Sequence, residues 1–88
     1  METLDRVRRI VARELDLEAE EIRPDKSIMR DLGADSLSMM QIAMAVEEEF
    51  GIAVEDNELD SLVTVHAIVR AVEDKLKRSG SLSTESAT

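Results

Sequence analysis

The segment Asp31-Leu32-Gly33-Ala34-Asp35-Ser36-Leu37 is where chemistry could sit in this chain. It brings a glycine, a carboxylate and a hydroxyl together just ahead of an apolar run with helical spacing. Asp35 is a good N-cap type, which puts Ser36 at the first position of a helix. A helix start leaves N–H groups unpaired and is the positive end of the peptide dipole, so it stabilises a phosphate attached there. Gly33 and Ala34 add little bulk, and another protein could reach the hydroxyl. On residue types alone, Asp-Ser before a helix is more often ordinary capping than a modified serine. Both readings stand at this point.

Other chemistries fare worse. The chain has no cysteine, which excludes disulfides, a zinc–thiolate site and a cysteine nucleophile. Asp56, Glu58 and Asp60 alternate like the start of a calcium loop. Such a loop needs glycine where Ser61 stands and glutamate where Ala67 stands. His66 is the only histidine, and one histidine with no cysteine or second histidine makes a poor metal site. It is expected on the exposed side of the last helix, and nothing supports a Ser36–His66–Asp triad. Ser27 reads as a loop-capping hydroxyl. No catalytic residue and no metal site are expected.

The elements that must position Ser36 follow from apolar periodicity. Leu4, Val7, Val11 and Leu15 recur at helical spacing and predict a helix from about Thr3, as N-cap, to Leu15. Residues 16–35 have no sustained period, and Pro24 argues against a helix across them. This long loop carries Leu17, Ile22, Ile28 and Leu32, so it should pack down on the helices. A second helix is predicted over Ser36–Phe50, with Gly51 as its stop signal. At 100° per residue, Met39, Ile42, Ala43, Val46 and Phe50 share one face, which meets the core. Leu37, Met40 and Met44 fall on another. A short helical turn is expected around Asp56–Ser61. The last helix is predicted over Val65–Lys77, capped by Thr64, with Val65, Ile68, Val69, Val72 and Leu76 facing inward. Residues 79–88 read as a flexible tail. No strand signal appears. The expected fold is all-α: a small four-helix bundle of three longer helices and one short one, with a single folded domain at 1–78.

Length and charge narrow the class further. Eighty-eight residues suit one small domain. The N-terminus is no signal peptide and no stretch is long enough to cross a membrane, so a soluble, cytoplasmic protein is expected. A monomer is expected too, freestanding or as one domain of a larger chain. The formal net charge is −9. Residues 31–60 hold nine acids and no Lys or Arg, leaving eleven acids against eleven bases elsewhere. That surface repels nucleic acid and steers a basic protein partner.

Gly33-Ala34-Asp35-Ser36-Leu37 resembles the modification site of acyl carrier proteins. Asp31-Leu32 before it, Glu47-Glu48-Glu49-Phe50-Gly51-Ile52 after the second helix and Val63-Thr64-Val65 before the last resemble the same family, in register over roughly residues 3–77. The resemblance implies 4′-phosphopantetheine on Ser36, moved there from coenzyme A by a Mg²⁺-dependent phosphopantetheinyl transferase. The thiol of the arm would hold acyl groups as thioesters, so the chain would be a shuttle of enzymes and not an enzyme. Asp35 would help present Ser36. Leu37, Met40 and Met44, with Glu47 and Glu48, would dock acyl-transferring, ketosynthase and related enzymes of fatty-acid or polyketide biosynthesis through basic surfaces on them. The sequence also departs from the family. Fatty-acid carriers commonly have acids where Ser38 and Gln41 stand, which thins the acidic rim and leaves a dedicated secondary pathway equally open. A peptidyl or aminoacyl carrier usually has a second glycine and a histidine or other residue where Ala34-Asp35 stand. An acidic interaction module without a prosthetic group is the reading from another class.

Overall fold

The computed structural model describes the backbone of residues 2–87 and the side chains of residues 2–77. Three long helices form the fold: α1 (Glu2–Leu15), α2 (Ser36–Phe50) and α3 (Val65–Ala87). Two 3-10 turns, Ala19–Glu21 and Asp56–Ser61, lie in the connections. The all-α architecture is the expected one.

Each helix buries the stripe that its spacing predicts. Val7, Ile10 and Val11 of α1 meet Met39, Ile42 and Val46 of α2 and Val65, Ile68 and Val72 of α3 in one core. Each fully buried aliphatic side chain contributes about 1.5–3 kcal/mol. The long loop joins this core, because Ile22 and Ile28 are completely buried. The core is aliphatic, and Phe50 sits only half-buried at its edge. The Arg6 guanidinium lies 4.5 Å from the Phe50 ring centroid and bonds the Glu49 carboxylate at 2.7 Å, tying the start of α1 to the end of α2.

The ends of the helices have local causes. Gly51 adopts φ 65° as the left-handed cap of α2, and its N–H donates to the Glu47 carbonyl. Asp16 takes φ 58° after α1, and the Leu17 N–H reaches back to the Ala12 carbonyl at 2.8 Å. Thr64 caps α3 as expected, its hydroxyl accepting from the Ala67 N–H at 3.1 Å.

Two expectations are corrected, and the loop gains a detail. Thr3 is not the N-cap of α1 but lies inside its first turn, since the helix begins at Glu2. Ala19–Glu21 forms a 3-10 turn inside the loop, built by a capping box between Glu18 and Glu21. The backbone of α3 stays helical through Ala87, ten residues beyond the expected end at Lys77. No proline interrupts residues 78–87, and a glycine such as Gly80 costs a helix only about 1 kcal/mol relative to alanine. Side chains from residue 78 onward lie outside the described residues, and so does the expectation of a flexible tail at 79–88.

Candidate functional site

Ser36 is placed by a chain of backbone bonds that starts far away in sequence. Ser27 and Thr64 form an isolated antiparallel bridge, and the Ile28 N–H donates to the Val63 carbonyl at 2.9 Å. The turn after Ile28 is closed reciprocally. The Ser27 N–H donates to the Asp31 carboxylate at 2.7 Å, and the Arg30 N–H donates to the Ser27 hydroxyl at 3.1 Å. Ser27 is therefore the capping hydroxyl that its position suggests. The Ala34 N–H then donates to the Ile28 carbonyl at 3.2 Å, which pins the residue two before Ser36 to the core. Between them Gly33 takes φ 78°, a conformation that side chains with a Cβ rarely adopt.

Asp35 caps α2: its carboxylate accepts from the Ser38 N–H at 2.8 Å. Hydrogen bonds from Ser38, the backbone N–H foremost and the hydroxyl next, hold the Asp35 carboxyl below its ordinary pKa. A depressed folded-state pKa means the cap contributes fully above the unfolded aspartate value, about 4. The contribution is lost as pH falls through the folded value. Asp35→Asn should keep the cap and remove this acid-side pH dependence, whereas Asp35→Ala should lower the melting temperature at neutral pH. Melting curves between pH 3 and 7, on the order of the carboxylate range, separate the two.

Ser36 opens α2 with an exposed side chain. Among the described residues its hydroxyl makes no hydrogen bond. It stands on a cleft of about 380 Å³ that runs between the loop, α2 and the second 3-10 turn. Met29, Met39, Met40, Leu59, Leu62 and Val63 supply its apolar wall, with Arg30, Asp56 and Asp60 also lining it. Of these, only Met40 carried a functional expectation. Residues 27–30 and 59–63 have no apolar period, so their meeting gives no local signal.

The second stripe of α2 is solvent-facing. Leu37, Met40 and Met44 are 62%, 48% and 61% exposed, and Met29 and Val63 extend the apolar surface around the cleft. Leu37 and Met44 do not pack beneath the loop, and Met40 stands at the cleft beside it. The expected acidic neighbours divide. Glu48 is exposed, but the Glu47 carboxylate turns inward and accepts from the Val54 N–H at 2.7 Å. Glu49 pairs with Arg6 and Glu58 pairs with Lys75 at 2.9 Å. Among the described residues no three His, Cys, Asp or Glu side chains converge on a metal position. No helix of the described residues is long and apolar enough to cross a membrane.

A family model described as "Phosphopantetheine attachment site" matches residues 5–72. Acyl carrier proteins of two strains of Nitratidesulfovibrio vulgaris, DP4 and Hildenborough, are each 36% identical over 75 residues, spanning 85% of this chain and 99% of theirs. The chain belongs to the acyl carrier protein family. A solved structure of the acyl carrier protein from Enterococcus faecalis superposes with a TM-score of 0.71 at 32% identity, covering 84% of this chain and 94% of that one.

The prosthetic group of such a carrier is phosphopantetheine, and the carrier is not itself an enzyme. It works with a phosphopantetheinyl transferase and with biosynthetic enzymes. The residues at the head of α2 fit the group. An exposed, uncommitted hydroxyl stands at a helix start, and a largely apolar cleft opens beside it. When bound, the group supplies a terminal thiol for thioester chemistry, which a chain without cysteine lacks.

Proposed function

We propose that Ser36 bears the phosphopantetheine arm and that the protein carries acyl intermediates on it as thioesters in a fatty-acid or polyketide pathway. One observation carries the assignment to this residue: the Ser36 hydroxyl is exposed, unengaged among the described residues and seated at the first position of α2. Asp35 holds the helix start rigid, so the hydroxyl is presented to the transferase without a local rearrangement. The carrier works in the cytoplasm as a monomer. Ser38 and Gln41 leave the top of α2 without the acids common in fatty-acid carriers, which leaves a dedicated polyketide or other secondary pathway as open as primary fatty-acid synthesis. Intact mass after incubation with coenzyme A, Mg²⁺ and a broad-specificity transferase tests the assignment. The expected result is a gain of one phosphopantetheinyl group. A folded protein that gains nothing overturns it and favours an acidic interaction module.

Partner enzymes dock on Leu37, Met40 and Met44, with Asp35 and Glu48 meeting Arg or Lys on their surfaces. Glu47 plays a smaller part, because its carboxylate already serves Val54. Flexible methionines suit a surface that meets several partners in turn. Met44→Arg puts a cation in the apolar centre, where a basic partner is repelled. Acyl transfer to the loaded carrier should fall by about tenfold or more, since a central contact of this kind is worth about 1–2 kcal/mol. Loading and elongation at the wild-type rate, measured as acyl-carrier mass against time, would overturn the docking role.

A further inference from the structure

Among the described residues, a single cationic side chain lines the cleft beside Ser36. Of the residues that line it, only Arg30 is basic, while Asp56 and Asp60 are acidic. Arg30 is exposed and stands directly before the stretch 31–60, which has nine acids and no Lys or Arg. Among the described residues its guanidinium makes no ion pair; the ion pairs there use Arg6, Arg8, Arg13 and Lys75. A guanidinium without a partner in an acidic neighbourhood has an unmet electrostatic opportunity. Its backbone, by contrast, is fixed. The Arg30 N–H is held by the Ser27 hydroxyl, inside the same closed turn that positions Ala34 and hence Ser36.

Attachment of the arm creates a specific electrostatic problem. A phosphodiester on the Ser36 oxygen adds a negative charge beside Asp35, whose carboxyl is held ionised by Ser38. Like charges at this range repel, even near the surface. The free N–H groups at the start of α2 offset part of that repulsion. A guanidinium offsets more, because its planar fork matches two phosphate oxygens. We propose that Arg30 anchors the phosphodiester of the arm, fixing the direction in which the arm leaves Ser36 along the cleft. This rests on the assignment of the arm to Ser36. A carboxylate on an acyl cargo has the same chemistry, but it would sit at the far end of the arm. The phosphodiester is bonded to Ser36 itself, in the cleft that Arg30 lines.

The test uses the full chain labelled with ¹⁵N, before and after loading. The Arg30 Nε–H resonance should shift when the arm is attached. It should stay at the unloaded position in Ser36→Ala treated in the same way. The ³¹P resonance of the loaded protein should move in Arg30→Gln, and Arg30→Lys should restore only part of the wild-type position, since it keeps the charge and loses the fork. The Arg30 side chain is exposed, so melting curves of the unloaded variants should match wild type. An unmoved Arg30 signal together with an unchanged ³¹P resonance overturns the proposal, provided that intact mass shows the arm in place. If no mass is gained, the Ser36 assignment has failed and takes this proposal with it. A shift that appears only with a malonyl cargo, and not with acetyl or the free thiol, assigns Arg30 to a carboxylate and also overturns it.

Discussion

Ser36→Ala should abolish attachment of the arm and leave the fold unchanged. The two halves of that expectation have separate physical origins. Stability does not use the hydroxyl: Ser36 is exposed, and among the described residues its oxygen bonds nothing. The cap of α2 comes from Asp35 through the Ser38 N–H. Alanine is a better helix former than serine, so unfolding free energy should stay within about 0.5 kcal/mol of wild type. Attachment, in contrast, needs an accessible nucleophilic oxygen at this point. The other hydroxyls near the cleft are committed elsewhere, with Ser27 accepting from the Arg30 N–H and Ser61 donating to the Glu58 carbonyl. Wild-type protein should gain one phosphopantetheinyl mass, and the variant none, in the same transferase reaction. A variant that still gains the mass moves the attachment elsewhere. A variant that unfolds in denaturant at a much lower midpoint gives Ser36 a structural role instead.

Much of the machinery around Ser36 was legible because its causes are local. Asp35 and Gly51 bracket α2 with a cap and a left-handed stop, and both signals act within one turn. The two apolar stripes of α2 follow from 100° spacing. One is buried through Met39, Ile42 and Val46, and the other is exposed through Leu37, Met40 and Met44. Features set by distant pairing were not legible. Nothing in residues 27–30 signals that they will meet 62–64, yet the bridge from Ser27 to Thr64 makes the cleft. Arg8 gives no sign of its role either, although it bonds the Ala19 and Ile22 carbonyls at 2.9 and 3.1 Å and straps the loop to α1. Glu47 looked like one acid of an exposed run. Its inward turn arises because the chain reverses at Gly51, bringing the Val54 N–H within reach of the carboxylate. The length of α3 escaped for the opposite reason. Residues 78–87 lack apolar periodicity, so nothing in their spacing signals that the backbone continues the helix.

A large loss of stability should come from Ile28→Ala, a loop residue remote from the packed faces of the helices in sequence. Ile28 is completely buried, and truncating such a side chain costs about 2–5 kcal/mol because the cavity collapses only in part. A domain of this size has a total of only about 3–5 kcal/mol to lose. The unloaded variant should therefore be largely unfolded at 37 °C, on the order of mesophilic conditions where small domains are marginal. Ile28→Val removes one methyl group and should cost only about 0.5–1.5 kcal/mol. The contrast matters for function because the backbone of Ile28 links the two halves of the site. Its N–H holds the Val63 carbonyl and its carbonyl holds the Ala34 N–H. Urea denaturation should rank wild type above Ile28→Val and both well above Ile28→Ala. In the valine variant, hydrogen exchange should quicken first at Ile28 and Ala34, the two amides whose bonds run through this residue. If the alanine variant lost no more stability than the valine one, the loop would be an accessory laid over a self-sufficient bundle. If its loss reaches the whole margin of the domain, the loop that presents Ser36 is part of the core, and the presentation of that hydroxyl cannot loosen without the fold loosening with it.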